Sequence, residues 1–247
     1  MKAFKTMFKT ELKISLRGMD MLIFAIAMPV IIMVVLGILY GNKPAFEGAE
    51  YTFIAQSFGA VSAIAISAGG VMGLPLVVSD YRNKKILKRF QVTPTSPTLI
   101  LAVQIAIYAL YAIASLILVY ITAAVFFSYQ FSGSWIQFLG SYFLVMISMF
   151  SIGLLVGGVA PNIKIASVLA SILYFPMLIF SGATLPYEVM PTTLRRIADV
   201  MPLNQGIKLL KATSIGLPMD DVLFPIVVMC FIALICIVTS LRFFKWE

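Results

Sequence analysis

The residues best equipped for chemistry in this chain are cations. Ser79–Pro97, "SDYRNKKILKRFQVTPTSP", holds Arg82, Lys84, Lys85, Lys88 and Arg89 against one acid, Asp80. Such a cluster attracts anionic groups or seats a helix on a partner; it does not break bonds unaided. The rest of the inventory narrows the chemistry further. Histidine is absent, which removes histidine metal sites, imidazole bases and Ser-His or Cys-His dyads together. Cys230 and Cys236 share one apolar run and read as two small buried hydrophobes. No Gly-rich phosphate loop ending in Gly-Lys-Ser/Thr occurs, so ATP is not bound that way. The apolar runs carry no carboxylate pair and no mid-depth lysine, the groups that proton-coupled carriers and membrane-embedded enzymes depend on. Sodium can be held by carbonyls alone, so a sodium-coupled carrier stays open.

These cations must be positioned by elements built almost wholly of apolar residues. The 247-residue chain is 61% hydrophobic and 11% charged, with a mean hydropathy of +1.03. A soluble domain has about a quarter of its residues charged. The composition therefore specifies an all-α polytopic membrane protein in one domain, residues 1–247. Six runs approach the roughly 20 residues that a spanning helix needs: Met21–Tyr40, Thr52–Val78, Thr98–Phe127, Trp135–Ala160, Ile165–Ser181 and Val222–Phe244. The first is too long for the core of a cleavable signal and reads as a retained span. Pro29, Pro75 and Pro176 lie inside runs and predict kinks. The small residues at Ser67–Gly70 and at Gly153, Gly157 and Gly158 predict close helix approach.

Six spans place both termini on one side. That side carries Lys2, Lys5, Lys9, Lys13 and Arg17, the five cations of 79–97, and Lys164, Arg242 and Lys245, which is 13 of the 18 Lys and Arg. Lys43, Arg195, Arg196, Lys208 and Lys211 fall on the other. The excess of cations in cytoplasmic loops then predicts cytoplasmic termini and a cytoplasmic 79–97 loop. The net charge of +8 is thus spent on topology and gives no reason to expect nucleic acid as a partner.

Residues 1–18 repeat Phe4, Phe8, Leu12 and Leu16 beside Lys5, Lys9 and Lys13. The spacing predicts an amphipathic helix lying in the membrane interface, with its cations at anionic lipid headgroups. Between Asp80 and Phe90 a second short helix is expected. Ile86, Leu87 and Phe90 fall on one face, Arg82, Lys85 and Arg89 on another, and Thr93-Pro94 and Ser96-Pro97 end it. Charge alone would serve to fix topology. The apolar face is what favours docking in a protein groove. Residues 182–221 are cut by Pro186, Pro191 and Pro202 into pieces too short to span. Leu194, Ile197, Ala198 and Met201 line one face there, opposite Arg195, Arg196 and Asp199. Re-entrant or interfacial half-helices, or an amphipathic loop on the outer leaflet, satisfy that pattern.

The segment "DYRNKKILKRFQVTPTSP" resembles the stretch after the second span of ABC-2 type exporter permeases, with its acidic-arginine start, leucine-bearing basic helix and Thr-Pro-x-Ser-Pro turn. "FSGATLPYEVMPTTLRRIADVMPLNQGIKLLK", Phe180–Lys211, is similar to the final outer segment of the same family. The chain departs from the family in having Asn83-Lys84-Lys85 where Gly-Thr is frequent, and Met201-Pro202-Leu203 where Asn-Pro-Leu is frequent. The resemblance implies a permease without its own ATPase site, paired with a second copy or a paralogue. Two cytoplasmic ABC ATPase subunits, which carry ATP and Mg, would dock beneath the pair; this chain would hold no cofactor. The 79–97 segment would be the coupling helix, with Arg82, Lys85, Ile86, Leu87, Arg89 and Phe90 as its partner contacts. Leu185, Pro186, Leu194, Ile197, Pro202 and Leu203 would form an outer gate. The location implied is a bacterial or archaeal plasma membrane. Uncharged spans favour outward movement of an amphipathic or lipid-like compound, a drug, antibiotic or peptide toxin. A polysaccharide or teichoic-acid exporter shares the topology. An ATPase-independent channel or carrier, and a membrane sensor or scaffold, are the readings from other classes.

Overall fold

The computed structural model describes residues 2–18, 22–41, 43–46, 48–86, 97–181, 191–218 and 220–243. Among them the regular structure is helical: α1 (Lys2–Arg17), α2 (Met28–Tyr40), α3 (Phe53–Asn83), α4 (Pro97–Phe127), α5 (Trp135–Val159), α6 (Ile163–Ile179), α7 (Thr192–Val200), α8 (Pro202–Ile215) and α9 (Asp220–Phe243). Five helices are long and apolar enough to cross a membrane, within Ile23–Tyr40, Phe53–Asn83, Thr98–Phe127, Trp135–Val159 and Val222–Ser240. The expected fifth span, Ile165–Ser181, forms α6, an apolar helix of 17 residues. At 1.5 Å per residue it covers about 25 Å, short of the roughly 30 Å hydrocarbon core.

The central helix is α3. Of its apolar window 83% is buried, against 22% for the spans of α2 and α9. Its neighbours are α2, α4, α5, α6 and α8. Apolar side chains on α2 and α9 point outward instead, among them Ile31, Ile38, Phe231 and Leu234. That is the arrangement a lipid solvent rewards, because an apolar residue gains little by leaving hydrocarbon. Cys230 belongs to this outward surface and Cys236 is half-buried, so the expectation of two buried cysteines is corrected.

Prolines widen two helices. The backbone forms π-helical turns at Leu22–Ala27 and Ala68–Gly73. Each ends just before a proline near a helix start, Pro29 and Pro75. Proline has no N–H and its ring crowds the carbonyl four residues back, and a wider turn relieves both faults. The widened part of α3 also meets α5 closely. A Cβ on Gly70 would lie 2.6 Å from the Phe150 ring, and one on Gly153 would lie 1.9 Å from the Gly70 carbonyl oxygen. The close approach predicted from these small residues is therefore present.

The turns sort the bundle into two ends. At the far end sit the α2–α3 turn, the α4–α5 turn and the close of α8. Gly133 N–H donates to Ser214 O at 3.0 Å, and Lys211 Nζ lies 5.3 Å from the centre of the Tyr51 ring. An aromatic nest fills that end, with Phe58 stacked on Phe138 at 5.4 Å and Phe131 on Trp135 at 4.0 Å. The base holds α1, the last turn of α3 and the α5–α6 turn.

Candidate functional site

The site is the base of α3, where the basic segment begins. The sequence suggested that the span stops at Val78 and a separate helix starts near Asp80. Instead the helix of the span continues to Asn83. Ser79 is fully buried, so the first residues of the segment belong to the bundle. Lys84 caps the helix, and Lys85 adopts φ +55°. A left-handed residue just past a helix end turns the chain sharply away, although glycine or asparagine usually occupies that place. Asp80 and Lys84 form an exposed i,i+4 ion pair of 2.8 Å, a contact of small value at a wet surface.

Arg82 does not share the exposure of its basic neighbours. It is 8% exposed. Its guanidinium donates through Nη1 to the Gly158 carbonyl and through Nη2 to the Ala160 carbonyl. These oxygens close α5, where the last carbonyls of a helix have no partner within it and carry the negative end of its dipole. A planar, permanently charged fork satisfies two such oxygens at once. The sequence grouped Arg82 with Lys85 and Arg89 as partner contacts; the fold turns it inward, to hold the α5–α6 turn.

Tyr81 points the other way. Its hydroxyl donates to Glu11 Oε2 on α1. Gln104 of α4 donates through Nε2 to the same Glu11 oxygen at 3.0 Å and to the Tyr81 hydroxyl oxygen at 3.1 Å. A carboxylate with two donors is the charge-assisted arrangement that survives partial burial. One turn further along α1, Tyr111 OH donates to Ser15 Oγ at 2.8 Å. The sequence reading passed over Glu11, although it is the single acid in the strongly basic first 18 residues. That oddity was the available signal.

The amphipathic helix at the N-terminus is present as α1, but its apolar stripe does not lie wholly toward lipid. Phe4, Met7, Phe8 and Leu12 pack on Val103, Ile107 and Tyr111 of α4 and on Ala25. Leu16 is exposed, as are Lys5, Lys9 and Lys13.

Of the remaining proposed contacts, Lys85 is exposed and Ile86 half-buried, while Leu87, Arg89 and Phe90 lie outside the described residues. In the outer segment Leu185 and Pro186 also lie outside them. Leu194 is half-buried and Ile197 is exposed on α7; Pro202 opens α8 and Leu203 is fully buried. The structure joins α7 to α8 through polar contacts. Asn204 Nδ2 donates to Ala198 O at 3.0 Å, Gln205 Nε2 to Asp199 O at 2.6 Å, and Lys208 pairs with Asp199 at 2.5 Å. Both helices are too short to span. The burial of α8 between α3, α5 and α9 went beyond what the sequence suggested.

The arrangement of the described residues supplies anchorage and exposed charge. Among the described residues no group of three or more His, Cys, Asp or Glu side chains could hold a metal ion. The comparisons agree in kind. Nodulation protein J of Rhizobium leguminosarum bv. viciae is 32% identical over 80 residues, 32% of this chain and 31% of that protein. Nodulation protein J of Neorhizobium galegae is 28% identical over 87 residues, 35% of this chain and 33% of that protein. The aligned part of the chain thus spans about a third of the length of these curated relatives. The family model described as ABC-2 type transporter matches residues 2–215. Helices fit to cross a membrane and a match over most of the length make this chain a member of the ABC-2 type transporter family and a multi-pass membrane protein.

Proposed function

We propose that the chain is the permease of an ATP-driven exporter, powered by separate ABC ATPase subunits. The observation that carries the reading is the base of α3. A central, buried helix ends at Asn83 with a sharp turn at Lys85, and the sequence that follows is basic, with Ile86, Leu87 and Phe90 at spacings that would share one helical face. A helix of that kind seats in a protein groove, its apolar residues as anchors and its cations at the rim. With Arg82 engaged inside the bundle, Lys85, Lys88 and Arg89 are left to supply rim charge. Nucleotide binding in the partner can drive the permease only through contacts that differ between two states. This segment is where such contacts would form.

On this reading α6 crosses the membrane as a short sixth span, both termini are cytoplasmic, and two permeases act together above two ATPases. α7 and α8 form a re-entrant pair that closes the outer end of the path. The exported compound is amphipathic or lipid-like, since the described spans carry no charge at mid-depth that would bind an ion.

The test is purification from native membranes with any bound ATPase, followed by vanadate-sensitive ATP hydrolysis and transport of candidate compounds in vesicles. Phe90→Asp is expected to lower coupled transport by about tenfold or more, as removal of a buried anchor does. Lys84→Ala should change it less than about twofold, as loss of an exposed ion pair does. Equal effects of the two, or transport that follows an ion gradient without ATP, would overturn the proposal. Transport of a polymer in place of amphipathic compounds would overturn the substrate class alone.

A further inference from the structure

We infer that Tyr81 and Arg82 are two positioning residues that pin the base of α3 separately to opposite halves of the bundle, so that one displacement of the basic segment is delivered to both. The two residues are consecutive on the last turn of α3, and their side chains diverge. Tyr81 reaches Glu11 on α1 and Gln104 on α4, residues 70 and 23 positions away in sequence. Arg82 reaches Gly158 and Ala160, at the junction of α5 and α6. No other described side chain of this turn makes a polar contact beyond its own helix; Lys84 pairs with Asp80 four residues back. The apolar contact of α1 with α4 would hold α1 to the bundle without Glu11. What the carboxylate adds is a directional tie to α3 itself. In a lipid solvent interhelical hydrogen bonds add to close packing in setting which helices move together. Close packing at Gly70, Gly153 and Gly157 already joins α3 to α5 higher in the bundle; Arg82 extends that joint to the point where the push arrives.

The proposal rests on the exporter reading for its function but not for its geometry, and the test separates the two. Cys230 and Cys236 are replaced by Ala, and spin labels are placed at Lys84 with either Lys9 or Lys164, all exposed. Distances are measured by pulsed EPR in the complex as purified, with and without ATP and vanadate. Without nucleotide, Tyr81→Phe is expected to broaden the 9–84 distribution and leave 84–164 sharp. Arg82→Lys, which keeps the charge but loses the planar fork, should do the reverse. With nucleotide, each variant should lose the response at its own label by about fivefold or more, the lower range of coupling between sites, and keep the other. Glu11→Gln, which retains an acceptor, should recover most of what Glu11→Ala loses. Distributions unchanged in both variants, or broadened equally at both pairs, would overturn the pins. A wild-type complex that does not respond to nucleotide would overturn the exporter reading, while the nucleotide-free distances still decide the pins. Arg82→Lys and Tyr81→Phe should melt within a few degrees of wild type, so a general loss of folding is separated from loss of the tie.

Discussion

The two ends of α3 are held by different forces. At the far end α3 meets α8 through backbone. A Cβ on Gly59 would lie 2.6 Å from Lys211 N and 2.8 Å from Leu210 C, and on the adjoining α4–α5 turn one on Gly133 would lie 2.0 Å from Thr213 O of α8. At the base the ties are two side chains, Tyr81 and Arg82, bonded to groups on three other elements and one turn. Backbone packed on backbone has one geometry and fails abruptly when it is disturbed. Side-chain hydrogen bonds have length, rotamers and exchangeable partners. The contrast assigns rigidity to the α3–α8 contact and adjustability to the base. A segment that receives a push from outside the bundle belongs at the adjustable end.

That contrast is broken most directly at the glycines. Gly59→Ala and Gly133→Ala should each destabilise the protein by about 3 kcal/mol, the upper range for overpacking, because the obstructing atoms are backbone and cannot step aside. The measurement is thermal melting and the yield of monodisperse protein. Gly140→Ala on α5 is the control, since nothing lies within 4 Å of its Cβ position; it should be neutral or stabilising by up to about 1 kcal/mol, as alanine is in a helix. If Gly59→Ala matches that control, α3 and α8 are not in backbone contact and the contrast fails.

Next in size is the charged pin. Arg82→Met removes two charge-assisted bonds and leaves the Gly158 and Ala160 carbonyls to find other partners. A loss of about 2 kcal/mol is expected: two hydrogen bonds to a charged group would contribute about 3 kcal/mol or more, and removal of the buried charge recovers part of its desolvation cost. Arg82→Lys should recover part of it by reaching one carbonyl. A cost for Arg82→Met above that of Gly59→Ala would reverse the assignment of the rigid and adjustable ends.

Five of the six expected spans were legible in the sequence, because runs such as Thr98–Phe127 admit no other solvent than lipid or a large core. The cut between α7 and α8 was legible too, since Pro202 allows a helix to begin but not to continue through it. What stayed hidden had no periodic signature. Arg82 sits among Lys84, Lys85, Lys88 and Arg89, and its inward turn depends on carbonyls of Gly158 and Ala160, acceptors that every residue carries and no sequence marks. Glu11 needs Gln104, 93 residues away, to become a site. α8 is buried although it carries Lys208 and Lys211; both long side chains leave the buried helix by their ends, Lys208 to Asp199 and Lys211 toward Tyr51. Composition reveals which solvent a helix can tolerate. It does not reveal which turn closes against which.

The smallest effect is expected at the turn where the basic segment leaves. Lys85 has φ +55°, a conformation that costs a residue with a side chain about 1 kcal/mol. Glycine removes that strain but adds freedom to the unfolded chain worth about 0.4–1 kcal/mol. Lys85→Gly should therefore leave stability within about 0.5 kcal/mol of wild type. Lys84, one residue earlier, has φ −76°, where glycine relieves nothing. Lys84→Gly should lower stability by about 0.5–1 kcal/mol from chain entropy, and by slightly more through the ion pair with Asp80. Thermal melting of the two variants side by side reads the difference. An equal loss in both would mean that Lys85 contributes a contact of its own, and that the adjustable end of α3 extends beyond the two pins to Lys85.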